Sequence, residues 1–404
     1  MKASEIEAFA KLYGQTKHSY IRVGYGFSRS RNGAINTHAV TCLPTVTGAW
    51  IHRGGGAFYT NGDIYSWDKT LIEGLDALDP SVRMLDQCRI GPILTSDATD
   101  LGDGPPVTAM LVQNTNPAVV APESAKVREG LLREDLFFCV HEQFMTHTAR
   151  YADIVLPATM FLEHEDYYRG GGHMYLQVHR SVIEPYDECR SNHDVICALG
   201  QRLGSNYPGF YMSGAELIDE SLTRSGLPGF EEAADMRWID MSVSWDDAHF
   251  LNGFGNPDGK FHFSPDWSKV GVDFEVMPKL PDHLDNIDEV TDEKPFRLVV
   301  PPARRFLNST FTETPTSSRR QKRPSAMLHP DDARNLKVGD GDTIRLGNLR
   351  GEIPIAAEVV ETAQRGVVIV ESIWPNRAFV GGKGINVLTG ADPVAPVGGA
   401  AAKL

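Results

Sequence analysis

The sequence predicts an α/β protein in which a doubly wound, mostly parallel sheet is followed by a compact all-β domain. Two observations carry that reading. Between Thr108 and Ala158, short apolar runs alternate with helix-like segments at the spacing of βαβ units, and such units require parallel strands. Beyond residue 296 the periodicity changes to short β segments, FRLVV, DTIRL, EIPIAAEVV and GVVIVES, punctuated by GDGD and NLRG turns, the pattern of a small barrel or sandwich. Between them, the acidic, proline-bearing PKLPDHLDNIDEVTDEKP reads as a linker. The expected regions are therefore 1–105 and 106–277, both α/β, a linker over 278–295, and a β domain over 296–404.

Each element has a local reason. Ser4 with Glu7 has the form of a capping box, and Ile6, Phe9, Ala10 and Tyr13 recur at helical spacing up to a stop at Gly14. YIRVGYG follows as a strand, then FSRSRNG. A second helix spans roughly Asn36 to Thr47 and runs into the loop RGGGAFYTNGD. Then TAMLV reads as a strand, ESAKVREGLL as an amphipathic helix, LFFCV as a strand and THTARYA as a short helix. Ile154 to Ala158 is a short apolar strand, of the kind a sheet buries on both faces. A helix from about His193 to Leu203 carries Val195, Ile196, Leu199 and Leu203 on one face. Residues 205–277, rich in aromatics, Gly and Pro, read as loops with short elements, and the tail PVGGAAAKL is Gly/Ala-rich.

Composition narrows the function. A chain of 404 residues can bury a sizeable core. Its net charge of -14 argues against a general nucleic-acid binder, which needs a basic face for phosphates. No apolar run is long enough to span a membrane, and no apolar segment follows Lys2 to make a signal peptide. Five cysteines without a CxxC pair (Cys42, Cys88, Cys139, Cys189 and Cys197) fit buried thiols in a reducing compartment, hence a cytoplasmic setting unless an export signal lies upstream. They offer no cradle for an iron–sulfur cluster or a structural zinc.

Chemistry is expected beyond the carboxyl ends of the parallel strands, where loops feed helix N-termini. Three strands end in polar clusters: Asn114, Thr115, Asn116 and Pro117; His141, Glu142 and Gln143; and Thr159, followed by Glu163, Glu165 and Asp166. Each alone has a plainer reading, as turn chemistry or a solvated loop. Their convergence on one rim outlines a small-molecule or nucleotide site. HEQFM lacks the second histidine of a zinc-binding HExxH. VGYGFSRSRNG fails the GxGxxG fingerprint because Arg29 stands where glycine is required, yet Gly24, Gly26, Arg29, Arg31, Asn32 and Gly33 suit a phosphate or pyrophosphate. RGGG, at 53–56 and again at 169–172, fits close backbone approach to a ligand or simply sharp turns. In the β domain, Arg304, Arg305 and FLNS, and Asn386 in GINVLTG, form a second polar group that spacing alone assigns to turns.

Taken together these motifs resemble the C-terminal part of a molybdopterin oxidoreductase of the dimethyl-sulfoxide-reductase and formate-dehydrogenase superfamily. TARYADIVLPATMFLEHED follows that family's T-A-x-x-A-D-I/V-V-L-P pattern with acidic residues after it. NTNP resembles a guanosine-contacting turn, and GYGFSRSRNG, LPTVTGAW and RGGG are similar to the family's glycine-bearing series. FLNSTF, HPDDARNLKVGDGDTIRLGNLRGEI and GINVLTG resemble its molybdopterin dinucleotide-binding domain, which implies a double-psi β-barrel. The resemblance implies a pair of molybdopterin guanine dinucleotides holding molybdenum (or tungsten). It puts Asn114, Asn116, Pro117, His141, Thr146, Asp153 and the run Glu163 to Asp166 near a guanosine or its phosphates. Gly24, Gly26, Arg29, Asn32 and Gly33 would lie near the other cofactor, and Arg305, Asn308, Ser309 and Asn386 near the pterins. His141 stands where the family commonly has aspartate.

Family members commonly begin with an iron–sulfur segment and then supply the metal ligand, material that would lie upstream of Met1. The chain is thus expected to be a portion of a molybdenum oxidoreductase performing two-electron oxygen-atom or hydride-type transfer on a small molecule, and inactive alone. Its expected partners are the missing segment or a split subunit, and an electron-transfer subunit; an iron–sulfur cluster enters only with an upstream segment. The alternative is a non-catalytic cofactor-binding or scaffold subunit. A conventional Rossmann-type nucleotide enzyme is disfavoured by the failed glycine fingerprint.

Overall fold

The structure, a computed structural model, describes residues 2–271, 273–284, 289–392 and 394–396. Part of the expected linker (285–288) and the tail from 397 lie outside the described residues. The first helix, Ala3–Gln15, begins two residues earlier than the Ser4–Glu7 pattern implied, because the Lys2 backbone N–H donates to Glu5 Oε2 (2.8 Å). Of its apolar stripe only Tyr13 is buried; Ile6, Phe9 and Leu12 are exposed. Strand β1 (Tyr20–Arg22) pairs in parallel with β2 (Gly56–Phe58), and helix Gly33–Thr47 packs beside them. At the first RGGG, Gly55 has no room for a side chain, since a β-carbon there would overlap the Ala49 carbonyl oxygen.

The expected strands of the central region form as β3 (Ala109–Gln113), β4 (Phe137–Glu142) and β5 (Ile154–Pro157), all parallel. Their order is sequential, β3-β4-β5, so the strand reversal that defines a doubly wound sheet is not found among the described residues. Helices Ile90–Leu94 and Ser124–Leu131 cover one face, with Leu94, Val127, Leu131, Phe138 and Val140 in a shared core. Strand β5 departs from expectation. Ile154 and Val155 are exposed, so this strand is an open edge rather than one buried on both faces.

An antiparallel sheet of β6 (Asp166–Tyr168), β7 (Tyr175–His179) and β8 (Ile239–Asp240) follows. It packs on helices Gly214–Arg224 and Phe230–Met236 through Leu176, Val178, Ile218 and Leu222. The 205–277 region is therefore more ordered than its composition suggests. The signal was present in Ser213 and Glu216, which make a capping box before Ile218 and Leu222. Helix Asn192–Arg202 starts on a second capping box, Ser191 with Asp194. Its buried positions are Val195, Cys197 and Gly200, whereas Ile196, Leu199 and Leu203 are exposed.

The described parts of 278–295 are not free chain. Trp267 donates to the Pro278 carbonyl (3.0 Å) and Leu284 accepts from Asn32 (3.3 Å). The C-terminal region forms a curled, five-stranded mixed sheet of β9 (Arg297–Val299), β10 (Ser325–Leu328), β11 (Thr343–Asn348), β12 (Gly351–Val359) and β13 (Val367–Ile369), ordered β11-β12-β10-β13-β9. Its core includes Leu328, Ile353, Ile355, Val370 and Ile385. The whole is a mixed α/β fold with parallel sheets and a half-barrel.

Candidate functional site

The carboxyl ends of β3 and β4 meet the N-terminus of helix Asn192–Arg202, and hydrogen bonds lock this rim. Asn114 N–H donates to the His141 carbonyl (3.0 Å), and Asn114 Nδ2 donates to Asn192 Oδ1 (3.2 Å). Asn114 holds φ at +48°, a left-handed turn conformation that asparagine tolerates better than most residues. His141 is fully buried between Gln113, whose Nε2 lies 3.2 Å from Nδ1, and the Arg190 carbonyl, 3.0 Å from Nε2. With Gln113 donating, Nδ1 accepts and Nε2–H donates, so the side chain is consumed inside the rim. Gln143 donates to the Thr159 carbonyl (2.8 Å), and Thr159 pairs with His164 Nδ1 (2.8 Å). Arg190 and Asn192 were not singled out in sequence, and His164 entered only within the run Glu163 to Asp166; the capping box at Ser191 was the available signal for Asn192.

Asn116 and Pro117 begin the short helix Pro117–Val120. Asn116 Oδ1 accepts from the Thr148 N–H (3.2 Å) and hydroxyl (2.7 Å), and that hydroxyl in turn accepts from Ala118 N–H (3.1 Å). Thr146 accepts from Ala149 N–H (3.2 Å) in the same crossover. Beside them, burial first, and then the charges of Arg128, Arg150 and Arg377, push the His147 imidazolium below its ordinary range.

Other expected site residues lie elsewhere. Asp153 precedes β5 and accepts from Phe138 N–H (2.7 Å), three residues before His141 along β4, so about 10 Å from the rim at ~3.3 Å per residue. It sits at the opposite end of the sheet, because the strands are parallel and Asp153 enters rather than leaves one. Glu163 is buried, its carboxylate accepting from Met160 N–H (2.6 Å) and Tyr186 N–H (2.9 Å). Asp166 opens β6 and accepts from Tyr167 N–H (2.8 Å). Gly24 and Gly26 are exposed, with open space where a β-carbon would stand, and Arg29 ends a 3₁₀ turn. Asn32 accepts from Ser30 (2.9 Å), and Gly33 starts the second helix. In the half-barrel, Leu307 and Thr310 exchange backbone hydrogen bonds around a two-residue turn of Asn308 (φ +54°) and Ser309, next to the exposed Arg305.

The half-barrel joins the rim through residues 376–391. Asn386, 1% exposed, donates to the Val119 (2.9 Å) and Val120 (3.1 Å) carbonyls, and the buried Asn376 donates to Ala118 (3.1 Å). Arg128 donates to the Gly382 carbonyl (3.0 Å). Arg89 donates to Ala391 (2.9 Å) while paired in bidentate fashion with Asp100, whose hydrogen bonds hold the guanidinium above its ordinary value. Asn376, invisible as a site residue in sequence, is thus as central as Asn386. Its Oδ1 and the Ser124 hydroxyl are buried in this seam without a partner among the described residues.

At the rim, burial pushes the Glu142 carboxyl up despite hydrogen bonds from Gln143 and Phe144. A raised folded-state value means that the folded state holds this proton more tightly. Its contribution to stability is therefore present below the unfolded value and lost as pH rises through the folded one. Glu142→Gln is expected to raise the melting temperature at neutral pH, with the gain vanishing below a pH of about 4. Thermal melts across that range check it, and an equal gain at both ends would refute it.

The residues fit a guanosine-bearing cofactor in their donor and acceptor set. Asn114 is exposed with its Oδ1 available to a purine N–H among the described residues, and Gly24 and Gly26 leave open space. No group of three or more His, Cys, Asp or Glu is placed to hold a metal ion among the described residues, and no described helix is long and apolar enough to cross a membrane.

Comparison with known proteins agrees. Residues 6–202 match the molybdopterin oxidoreductase family model, and residues 296–403 match the molydopterin dinucleotide binding domain. The chain is 34% identical to the "Probable oxidoreductase YoaE" of Bacillus subtilis, over 99% of this chain and 58% of that protein. It is 26% identical to the trimethylamine-N-oxide reductase of Haemophilus influenzae, over 91% of this chain and 50% of that one. Acetylene hydratase from Pelobacter acetylenicus shares the fold, with a TM-score of 0.60 at 20% identity, over 75% of this chain and 43% of that one. The chain spans roughly half the length of such relatives. The cofactor of this family is a pair of molybdopterin guanine dinucleotides with molybdenum. The interlocked rim, the half-barrel seated on it and the two matching models lead to one statement: the chain belongs to the molybdopterin oxidoreductases of the dimethyl-sulfoxide-reductase superfamily.

Proposed function

We propose that the chain is the cofactor-binding portion of a molybdenum oxidoreductase that transfers oxygen atoms to or from a small S-oxide or N-oxide, with the metal ligand supplied by polypeptide outside it. When bound, the molybdenum cofactor supplies two-electron oxygen-atom transfer. The chain's own residues bind and orient. Asn114, on a rigid left-handed turn, accepts from the guanine edge. Asn116, Thr148 and His141 hold that turn without spending their own atoms on the ligand. Gly24 and Gly26 admit a second dinucleotide near Arg29 and Asn32, and Arg305 with the Asn308–Ser309 turn faces the pterins from a β domain that closes as a double-psi barrel.

The observation that carries this reading is the rim itself, where the ends of two parallel strands, a helix N-terminus and the half-barrel seam converge. A direct test is titration with GMP followed by calorimetry. Asn114→Ala is expected to weaken binding about tenfold, equivalent to about 1.4 kcal/mol. Asp153→Ala should leave affinity unchanged while lowering stability, since it sits at the other end of the sheet. Unaltered affinity in Asn114→Ala would remove the guanosine assignment. Guanosine binding by a chain that gains no reductase activity when joined to the metal-ligand portion would favour a non-catalytic cofactor-binding subunit.

A further inference from the structure

Two segments that meet on the short helix Pro117–Val120 bring cationic groups together. Thr148 accepts from the Ala118 N–H (3.1 Å), and Asn376 donates to the Ala118 carbonyl (3.1 Å). His147 and Arg377, the sequence neighbours of those two residues, therefore flank one residue of that helix, with Arg150 a short way along the crossover. Arg128 reaches the same place from helix Ser124–Leu131, because its guanidinium donates to the Gly382 carbonyl (3.0 Å), just beyond Arg377. Arg128, Arg150 and Arg377 are the charged groups that act on the His147 ring, and no carboxylate stands among them.

Like charges gathered at a partly buried junction repel one another more than they would in open water. Elsewhere the chain answers its arginines with acids, as in Arg89 with Asp100 and Arg350 with Asp392. Here, among the described residues, the one ion pair in the group joins Arg377 to Glu313 (2.9 Å), although the chain carries 53 acidic against 39 basic residues. There is also room for a ligand. Gly381 and Gly382 hold φ at +79° and +65°, and no atom lies within 4 Å of where a β-carbon would stand on either. The group is close to the rim: Asn116, whose Oδ1 accepts from the Thr148 hydroxyl (2.7 Å), follows two residues after Asn114, a span of at most about 7 Å.

We infer that Arg128, Arg150 and Arg377, with His147 among them, hold the diphosphate of the guanine dinucleotide whose base Asn114 receives. The inference rests on the guanosine reading of the rim. Arginine suits this ligand because its planar fork of N–H donors matches phosphate oxygens, and charge-assisted hydrogen bonds of that kind are the strong ones. His147 adds a pH-dependent part. Burial first, and then the three arginines, keep its ring neutral at neutral pH. An anion seated among the arginines offsets their charge and favours the imidazolium, so binding takes up a proton and tightens as pH falls.

The test is calorimetric titration of the 404-residue chain with guanosine, GDP and inorganic pyrophosphate. Wild type is expected to bind GDP at least about tenfold more tightly than guanosine, and to bind pyrophosphate alone, both effects fading with added salt. The double variant Arg150→Gln, Arg377→Gln should erase the GDP preference. It should leave guanosine affinity and the melting temperature unchanged, because both side chains are exposed. His147→Gln should retain the preference at a pH of about 8 and lose its steepening toward a pH of about 6. Equal affinity of wild type for GDP and guanosine, or an unaltered preference in the double variant, overturns the inference. A pH dependence identical in wild type and His147→Gln defeats the part given to His147. Guanosine separates this claim from the one it rests on. Guanosine binding that Asn114→Ala weakens, with no response to the arginine variant in GDP or pyrophosphate binding, defeats the cluster alone. Absence of guanosine binding defeats the rim reading, and with it the dinucleotide as the ligand here.

Discussion

Phe138→Ala is expected to destabilise the chain by about 3–5 kcal/mol, the usual range for truncating a buried phenylalanine. Phe138 is 1% exposed on the central strand β4 and packs in the core formed with Leu94, Val127 and Leu131. Its backbone N–H is also the group that Asp153 caps, so the side chain and the β4–β5 register depend on one another. A cavity here loosens β4 three residues from His141, and the rim should lose guanosine affinity along with stability. Urea unfolding measures the first effect and GMP titration the second. A loss under about 1 kcal/mol would mean that this core can collapse around the gap.

Asn386→Ala is the second large effect, about 2–6 kcal/mol, because each buried carbonyl left without a donor costs about 1–3 kcal/mol and two are involved. Asn386 serves Val119 and Val120, while its own Oδ1 accepts from the Thr389 hydroxyl (3.1 Å). Asn376 serves the neighbouring Ala118, so the two asparagines satisfy three consecutive carbonyls of one short helix from the half-barrel side. A double-mutant cycle between them should show coupling, since both share that helix. The variant should also separate thermal unfolding into two transitions, because the seam that makes sheet and half-barrel cooperative has lost a principal bond. A single transition of unchanged width and midpoint would show that the remaining seam, Arg89 to Ala391 and Arg128 to Gly382, is sufficient.

Local pattern determined a great deal. The β3, β4 and β5 strands, the helix after Glu123 and the strands β9, β11, β12 and β13 were readable because each is set by apolar spacing and neighbouring turn chemistry. The family was readable too, since TARYADIVLPATMFLEHED and the dinucleotide-binding motifs are contiguous strings. Where spacing misled, tertiary partners were the cause. Ile196 and Leu199 look like a buried helical face, but Gly200 admits the Phe210 ring on another face and turns the helix accordingly.

Only the tertiary structure decided how the candidate residues are used. Asn116, His141, Glu163 and Asn386 read as ligand-facing polar residues, yet each spends its hydrogen bonds within the chain. Asp153 and His141, twelve residues apart in sequence, stand at opposite ends of adjacent strands. Asn376 and Ser124 carried no mark at all, although the fold buries a polar atom of each at the seam. The physical reason is that residue type fixes which hydrogen bonds a side chain can make, whereas its partners arrive from distant segments. Chain identity was therefore legible in one dimension, and the division between residues that bind and residues that brace required three.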